Sequence, residues 1–325
     1  MRYVASNALV CVALALAVPP PVLAQSVYPA KPVRIVVPYA PGGANDVIGR
    51  IVADELTRRL GQTVLVENRP GASTAIGAEF VAKAPPDGYT LLGSSLTTFA
   101  LLPNIRAKLP YDPLRDFEPV SLLALQPFAL AVHPSLPATS VKQLIALAKA
   151  NPGKLTYSTQ GMGTGGHLSG EFLRTMTGVD IHHVPYKGGS QAVNDLVGGH
   201  VMLSFSTLST LIPFAKAGRL RILAVTSARR SQIAPDIPTM AETGLAGYDT
   251  GAWNALVAPR GTPRPIVERL NAETTAALSN REIREKLSSQ GYEPQGSTAQ
   301  QLGEHIRSEH ARYGKLIKAI GFREE

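Results

Sequence analysis

The sequence predicts an α/β protein of two domains with largely parallel sheets. Strand-like apolar runs alternate with helix-like periods from Lys31 to the end. At three places a glycine-rich loop sits between such a strand and the helix that follows it. The length points the same way: 325 residues less a leader of 24 leaves 301, more than one core of usual size accommodates.

The leader is Met1 to Ala24. One Arg at position 2 precedes an Ala-, Val- and Leu-rich run, then Pro19-Pro20-Pro21 and Val22-Leu23-Ala24. That is the order of a secretory signal peptide, expected to be cleaved after Ala24. The apolar run is shorter than the roughly 20 residues a spanning helix needs. Cys11, the single cysteine, lies inside this segment without a small residue before it, so a lipid anchor is not expected. The mature chain then has no cysteine for a disulfide, a thiolate metal site or a nucleophile. Later stretches are not apolar enough to cross a bilayer, so a soluble mature protein is expected.

The formal charge of +8 falls to +7 when Arg2 leaves with the leader, and the pI of 9.6 marks a basic surface that favours anions. The longest basic cluster is Arg229-Arg230, with no aromatic interleaving. A nucleic-acid partner is therefore not expected.

The first strand, Val33-Arg34-Ile35-Val36-Val37, stops at Pro38. It gives way to Tyr39-Ala40-Pro41-Gly42-Gly43-Ala44-Asn45-Asp46, after which Ile48, Val52, Leu56 and Leu60 recur at helical spacing up to Gly61. Asn45 or Asp46 is a natural cap for that helix. The unit recurs as the strand Leu155 to Ser158, the loop Thr159 to Gly166 and a helix from His167 to Met176. A third copy runs from Ile181-His182-His183-Val184 through Pro185-Tyr186-Lys187-Gly188-Gly189-Ser190 into a helix with Val193 and Leu196-Val197. Between the first and second copies, Phe117 to His133 reads as a crossing from one domain to the other. Ala252 to Pro259, around Trp253, reads as the return. Pro263 to Phe322 is mostly helical by period, interrupted at Gly291 and Pro294.

A glycine loop leading into a helix start presents unpaired N–H groups and partial positive charge, which suits an anion. Lys and Arg are absent from the first loop until Arg50, so an anion there is held by backbone, hydroxyls and water. The second loop, Gly161-Met162-Gly163-Thr164-Gly165-Gly166, fits the dinucleotide fingerprint GxGxxG. The acidic residue that should end the next strand is missing, since Val184-Pro185-Tyr186-Lys187 stands there. No G-x-S-x-G or H-E-x-x-H occurs, so no catalytic residues, metal or cofactor are expected. His182 and His183 should face opposite sides of a strand. His305 and His310, five apart on a helix, are expected at the surface. His167, at the end of a glycine loop, is expected to make a structural hydrogen bond in preference to a ligand contact.

Taken together these residues resemble a known family, the periplasmic solute-binding receptors of tripartite tricarboxylate transporters, the TctC-like or Bug receptors. The likeness runs along nearly the whole mature chain. Its marks are Tyr28-Pro29 with Lys31-Pro32, Val37 to Gly43 followed by Asp46, and Val66-Glu67-Asn68-Arg69-Pro70-Gly71-Ala72. Pro86 to Leu92, Leu109 to Pro113 with Asp116-Phe117, His183 to Gly189, Ile237 to Gly244, and Trp253 with Ala258-Pro259 follow in order.

The resemblance implies a type II periplasmic-binding-protein fold, a two-lobed "Venus flytrap" with two crossing strands. Lobe 1 would hold residues 25–124 and 249–325, and lobe 2 residues 125–248. It implies a periplasmic receptor that captures a mono-, di- or tricarboxylate, aromatic and amino acids included. Its partners would be that small organic carboxylate and the membrane subunits of the transporter, with the receptor itself a monomer. A ligand-sensing receptor for a signalling partner would use the same flytrap, and a secreted enzyme acting on a small acid is a more distant alternative. Matching positions carry ligand contact to Tyr39, Gly42, Gly43 and Asp46, and to Ser158, Gly161, Gly163, Thr164 and His167. Tyr186, Lys187, Gly188 and Gly189 stand behind them, and Ser94, Ser95 and Thr97 are candidates for the variable end of the ligand. The sequence departs from the pattern in three places. Gly165-Gly166 replace a usual Pro, which suggests a looser loop; Met202 replaces an Asp; and Tyr313 stands where Trp is common.

Overall fold

Two sheets, one per lobe, organise the computed structural model, which describes residues 28–321. The expected leader, Met1 to Ala24 with Cys11, lies outside the described residues. Among those residues no helix is long and apolar enough to cross a membrane.

The first lobe begins with β1 (Val33–Val37), α1 (Ala44–Leu60), β2 (Val64–Asn68), α2 (Ala75–Ala82), β3 (Thr90–Ser95) and the short α3 (Leu102–Ile105). In α1 the predicted Ile48, Val52, Leu56 and Leu60 are all buried, and the helix stops at Gly61 (φ 67°), whose amide returns to the Thr57 carbonyl. β4 (Phe117–Gln126) and β5 (Phe128–Val132) are separated by Pro127 alone, yet they belong to different sheets.

The second lobe continues with α4 (Val141–Ala150), β6 (Leu155–Thr159), α5 (Gly165–Thr177), β7 (Ile181–Pro185), α6 (Gly189–Val197), β8 (Leu203–Thr207), α7 (Leu208–Lys216) and β9 (Arg221–Val225). The chain re-enters the first sheet as β10 (Ala252–Pro259), then runs through α8 (Arg264–Ser279), α9 (Arg281–Ser289), β11 (Glu293–Pro294) and α10 (Ala299–Ile320). All of Ala252 to Pro259 therefore lies in the first sheet, and the return crossing comes just before it, with Ala252 opposite Gln126.

The sheets are ordered β11-β4-β10-β3-β1-β2 and β7-β6-β8-β5-β9. They are mixed, which corrects the expectation of largely parallel sheets. β1 runs parallel to β2 and β3, and β6 to β7 and β8. The pairs made by the crossing strands β4, β5 and β10 are antiparallel. The reason is topological: a strand arriving from the opposite lobe enters its new sheet against the direction of the βαβ units already there.

Alternate residues of the central strands feed two cores per sheet. Val36, Leu92 and Val257 face one side of the first sheet, and Ile35, Leu91 and Leu256 the other, the pattern of a sheet covered on both faces. Leu168 of α5 lies in the first-lobe core beside Trp253 and Tyr313, so the lobes meet through apolar contact. Gly165 and Gly166 open α5 as buried residues, and an added Cβ would stand 2.6 Å from the Phe128 ring and 2.5 Å from the Phe205 carbonyl. The pair is thus a close-packing device, which corrects the expectation of a looser loop. Tyr313 is fully buried and its hydroxyl donates to the Gly251 carbonyl at 3.2 Å, at the crossing itself. His305 is not a surface residue: its ring packs edge-on against Trp253, 4.8 Å between centroids, because α10 lies over the crossing.

Candidate functional site

The site is built where strand ends and helix starts from both lobes face one another. From β1 the chain turns at Pro38 into Tyr39, whose hydroxyl lies 2.5 Å from the Ser95 Oγ at the end of β3. Burial raises the Tyr39 pKa, so this hydroxyl keeps its proton at neutral pH. Beyond Ser95 the chain makes one π-helical turn, Thr97–Leu101. Ser94 points the other way, into a buried chain of hydroxyls in which it meets Thr98 at 2.5 Å and Thr98 donates to Thr74 at 2.8 Å.

In the second lobe, β6 runs into the loop from Gln160 to Thr164. Thr164 caps α5, accepting from the His167 amide at 3.4 Å and donating its hydroxyl to the Gly161 carbonyl at 2.8 Å. His167 is buried, accepts the Gly163 amide on Nδ1 at 3.2 Å and stacks on His183, 4.0 Å between centroids. His183 bonds Thr159 at 2.7 Å and stacks on Tyr157, while His182 is exposed on the other side of the strand. Burial holds both stacked imidazoles below their usual pKa, and for His183 the neighbouring His167 adds to the effect, bringing it to about 4.

Two adjoining chambers result. A polar one of about 360 Å³ is lined by Tyr39, Asn45, Ser95, Thr97, Gln126, Gln160, Thr164, Gly165, Gly189, Ser190, Thr207 and Thr210, with some apolar neighbours. An apolar one of about 690 Å³ is lined by Pro38, Pro70, Leu102, Ile105 and Met162, together with Gly71, Ser73, Thr74 and Gly163. Tyr39, Thr97 and Thr164 line both. Among the described residues, no Lys, Arg, His, Asp or Glu lines either chamber. Both lobes contribute to each, and the volumes fall in the range of small-molecule sites. Gln160 lines the polar chamber, while its Oε1 is buried without a hydrogen-bond partner among the described residues.

Of the sequence-predicted residues, Tyr39, Ser95, Thr97, Gly163, Thr164 and Gly189 line these chambers. Gly42 and Gly43 sit at the start of α1 next to the lining residues Ala44 and Asn45. Ser94, Ser158, Gly161, His167, Tyr186, Lys187 and Gly188 are not among the lining residues. Ser158 is fully buried, its hydroxyl spent on the Ala192 and Leu203 carbonyls. Gly161 (φ 138°) gives its amide to Thr159, Tyr186 gives its hydroxyl to Asp195, Lys187 is exposed, and Gly188 is the extended cap of α6. Asp46 also stands behind the site. Its carboxylate accepts from the Gly42 amide at 2.8 Å, from Asn68 at 2.8 Å and from Arg50 at 3.0 Å. Burial pushes its pKa up, but those bonds outweigh burial and hold it below the usual range.

Sequence reasoning missed Gln126, Gln160, Thr207 and Thr210 as lining residues. Thr207 and Thr210, hydroxyls 2.6 Å apart, occupy a fourth strand-to-helix turn that carries no glycine to flag it. A repeat of strand, hydroxyl cluster and helix was the available signal. A further cavity of about 340 Å³ abuts the crossings, lined among others by Trp253, Glu293, His305, Glu309 and Arg312. Two of its buried carboxylates are engaged: Arg312 bonds Glu309 at 2.8 Å, and Glu293 takes the Ser231 hydroxyl.

The model of the tripartite tricarboxylate transporter family receptor matches residues 48–322. The protein BugT of Bordetella pertussis is 37% identical over 295 residues, covering 90% of each chain. R. palustris Rpa4515, solved with adipate, is 40% identical with a TM-score of 0.82, covering 91% of this chain and 99% of that one. MatC of Rhodopseudomonas palustris, solved with bound malate, is 32% identical with a TM-score of 0.77, covering 89% and 100%. A match of that extent, on a fold whose crossings and facing turns are those of a two-lobed binding protein, leaves one conclusion: the chain belongs to the tripartite tricarboxylate transporter receptor family.

Proposed function

We propose that this protein is a periplasmic receptor that binds a small organic carboxylate between its lobes and presents it to the membrane subunits of a tripartite tricarboxylate-type transporter. Residues 1–24 serve as the secretory leader. Residues 25–124 and 249–325 form one lobe, residues 125–248 the other, and the receptor acts as a monomer. The observation that carries the reading is the polar chamber, where hydroxyls and amides from both lobes converge with no charged side chain among them. A carboxylate there is held by oriented, desolvated hydrogen bonds, each worth about 1.5–3 kcal/mol when one partner is charged. Because both lobes contribute donors, the ligand favours the closed arrangement over the open one, which is the differential affinity that a closure signal requires. The carboxylates bound by Rpa4515 and MatC support this choice of ligand. Of the predicted contacts, Tyr39, Ser95, Thr97, Thr164 and Gly189 are assigned to the ligand, and Gly42, Gly43, Asp46, Ser158 and His167 to the shell that shapes it. Isothermal titration of the purified protein with mono- and dicarboxylates tests the reading: saturable binding of at least one acid, absent for the corresponding alcohol, is expected. Heatless titrations across such a panel, with no change in melting temperature, would refute it.

A further inference from the structure

The second chamber sets the class of acid. We propose, resting on the receptor reading above, that the ligand is a carboxylate with an uncharged aryl or medium-chain alkyl tail, the head in the polar chamber and the tail in the apolar one. The apolar chamber is nearly twice the larger, about 690 Å³ against about 360 Å³. A ligand as small and polar as malate fits within the polar chamber and leaves the other to water, against walls of Pro38, Pro70, Leu102, Ile105 and Met162 that offer water few partners. A second carboxylate reaching into that space finds no cation among the described lining residues, the nearby Arg106 guanidinium being turned to the Ala72 carbonyl, and fewer hydroxyl and amide side chains than the polar chamber offers. Desolvating an ion without a partner is costly.

The walls of this chamber are also specified with care. Ala72, Ser73 and Thr74 take positive φ values of 46°, 53° and 92° in succession, a conformation that non-glycine residues, above all a β-branched one, adopt at a cost. Such strain persists where surrounding bonds hold it and gathers at ligand clamps. Here the holding bonds run from Thr98 to Thr74 and from the Arg106 guanidinium to the Ala72 carbonyl, 3.2 Å. On the facing lobe, Met162 stands 61% exposed between two glycines of positive φ. An unbranched thioether so placed can fold over tails of different shape.

The test is a titration series at neutral pH with butyrate, hexanoate, octanoate, phenylacetate, adipate and malate. Affinity is expected to rise roughly fourfold per buried methylene from butyrate to octanoate, and octanoate or phenylacetate should bind at least about tenfold tighter than adipate. Met162→Gln, at an exposed position that leaves folding unaffected, should weaken octanoate several-fold and butyrate little. Adipate or malate binding as tightly as the tailed monocarboxylates overturns the proposal while leaving the receptor reading intact, and so does octanoate affinity unchanged by Met162→Gln. Failure of every acid in the series to bind removes the receptor reading and this inference with it.

Discussion

The Tyr39 hydroxyl lies 2.5 Å from the Ser95 hydroxyl, tying the turn after β1 to the end of β3 at a point that faces both chambers. With its proton retained by burial, Tyr39 can donate to a carboxylate while Ser95 holds it in place, or the reverse. Tyr39→Phe should lower affinity for the preferred acid about tenfold or more, as expected for a hydrogen bond to a charged group. The melting temperature should move by no more than about 4 °C, since the lost neutral bond is worth about 1 kcal/mol. Calorimetric titration beside a thermal melt separates the two, and unchanged affinity would place the ligand elsewhere.

Asp46 acts on the fold of the first turn rather than on the ligand. Its side chain is 4% exposed and takes three hydrogen bonds from three different segments. Asp46→Ala leaves the Gly42 amide without an acceptor, takes from the Asn68 amide group one of its two acceptors, the Tyr39 carbonyl remaining, and removes the Arg50 partner, at a cost of about 2–3 kcal/mol. Asp46→Asn should fall between, because one oxygen remains for the Gly42 amide. Urea unfolding measures both, and a loss below about 0.5 kcal/mol for the alanine variant would contradict the assignment.

Two glycines three residues apart should respond differently to alanine. At Gly163 (φ 68°) the nearest atom to an added Cβ is the Ile105 Cδ1 at 3.9 Å, so the cost is conformational, about 1 kcal/mol. At Gly166 the Cβ would stand 2.5 Å from the Phe205 carbonyl oxygen, which belongs to a central strand and cannot yield cheaply. Gly166→Ala should therefore destabilise by more than about 2 kcal/mol, and the ranking of the two melts decides the matter.

The stacked His167–His183 pair makes stability depend on pH. Burial depresses both pKa values in the folded state, for His183 to about 4, while an unfolded histidine titrates near 6.5. Between these values the unfolded chain binds protons that the native one does not, so stability is full above about 6.5 and falls as pH drops towards 4. Discounted for its partial exposure, His183 should contribute on the order of 1 kcal/mol. Melting temperature should thus decline between pH 7 and pH 5, above the range where carboxylates protonate, and His183→Asn should flatten that decline.

Much of the fold was legible because its signals are local. The apolar period of α1, the Gly61 stop and the crossing at Phe117 to His133 need only residues close in sequence. The antiparallel entry of β5 and β10 was not legible, since strand direction follows from which lobe a strand comes from. In the site, the glycine loops pointed to Gly163, Thr164 and Gly189, which line the chambers, but also to Gly42, Gly161 and Gly188, which do not, while Gly165 and Ser190 were passed over. Which glycine of a loop reaches the space, Gly163 and not Gly161, Gly189 and not Gly188, depends on how the facing lobe packs against it. Gln126 and Thr207 carry no motif, and only the meeting of two lobes reveals them.

Trp253, the single indole of the chain, is stacked on Phe99 at 5.7 Å, touches the His305 ring and donates to the buried Glu309 carboxylate at 3.1 Å, two residues from Gly251 where the chain re-enters the first lobe. Leu168 of the second lobe lies in the same apolar cluster, so the indole sits where the two lobes touch. The emission of this one tryptophan, with no label attached, is therefore expected to shift when the second lobe moves against the first.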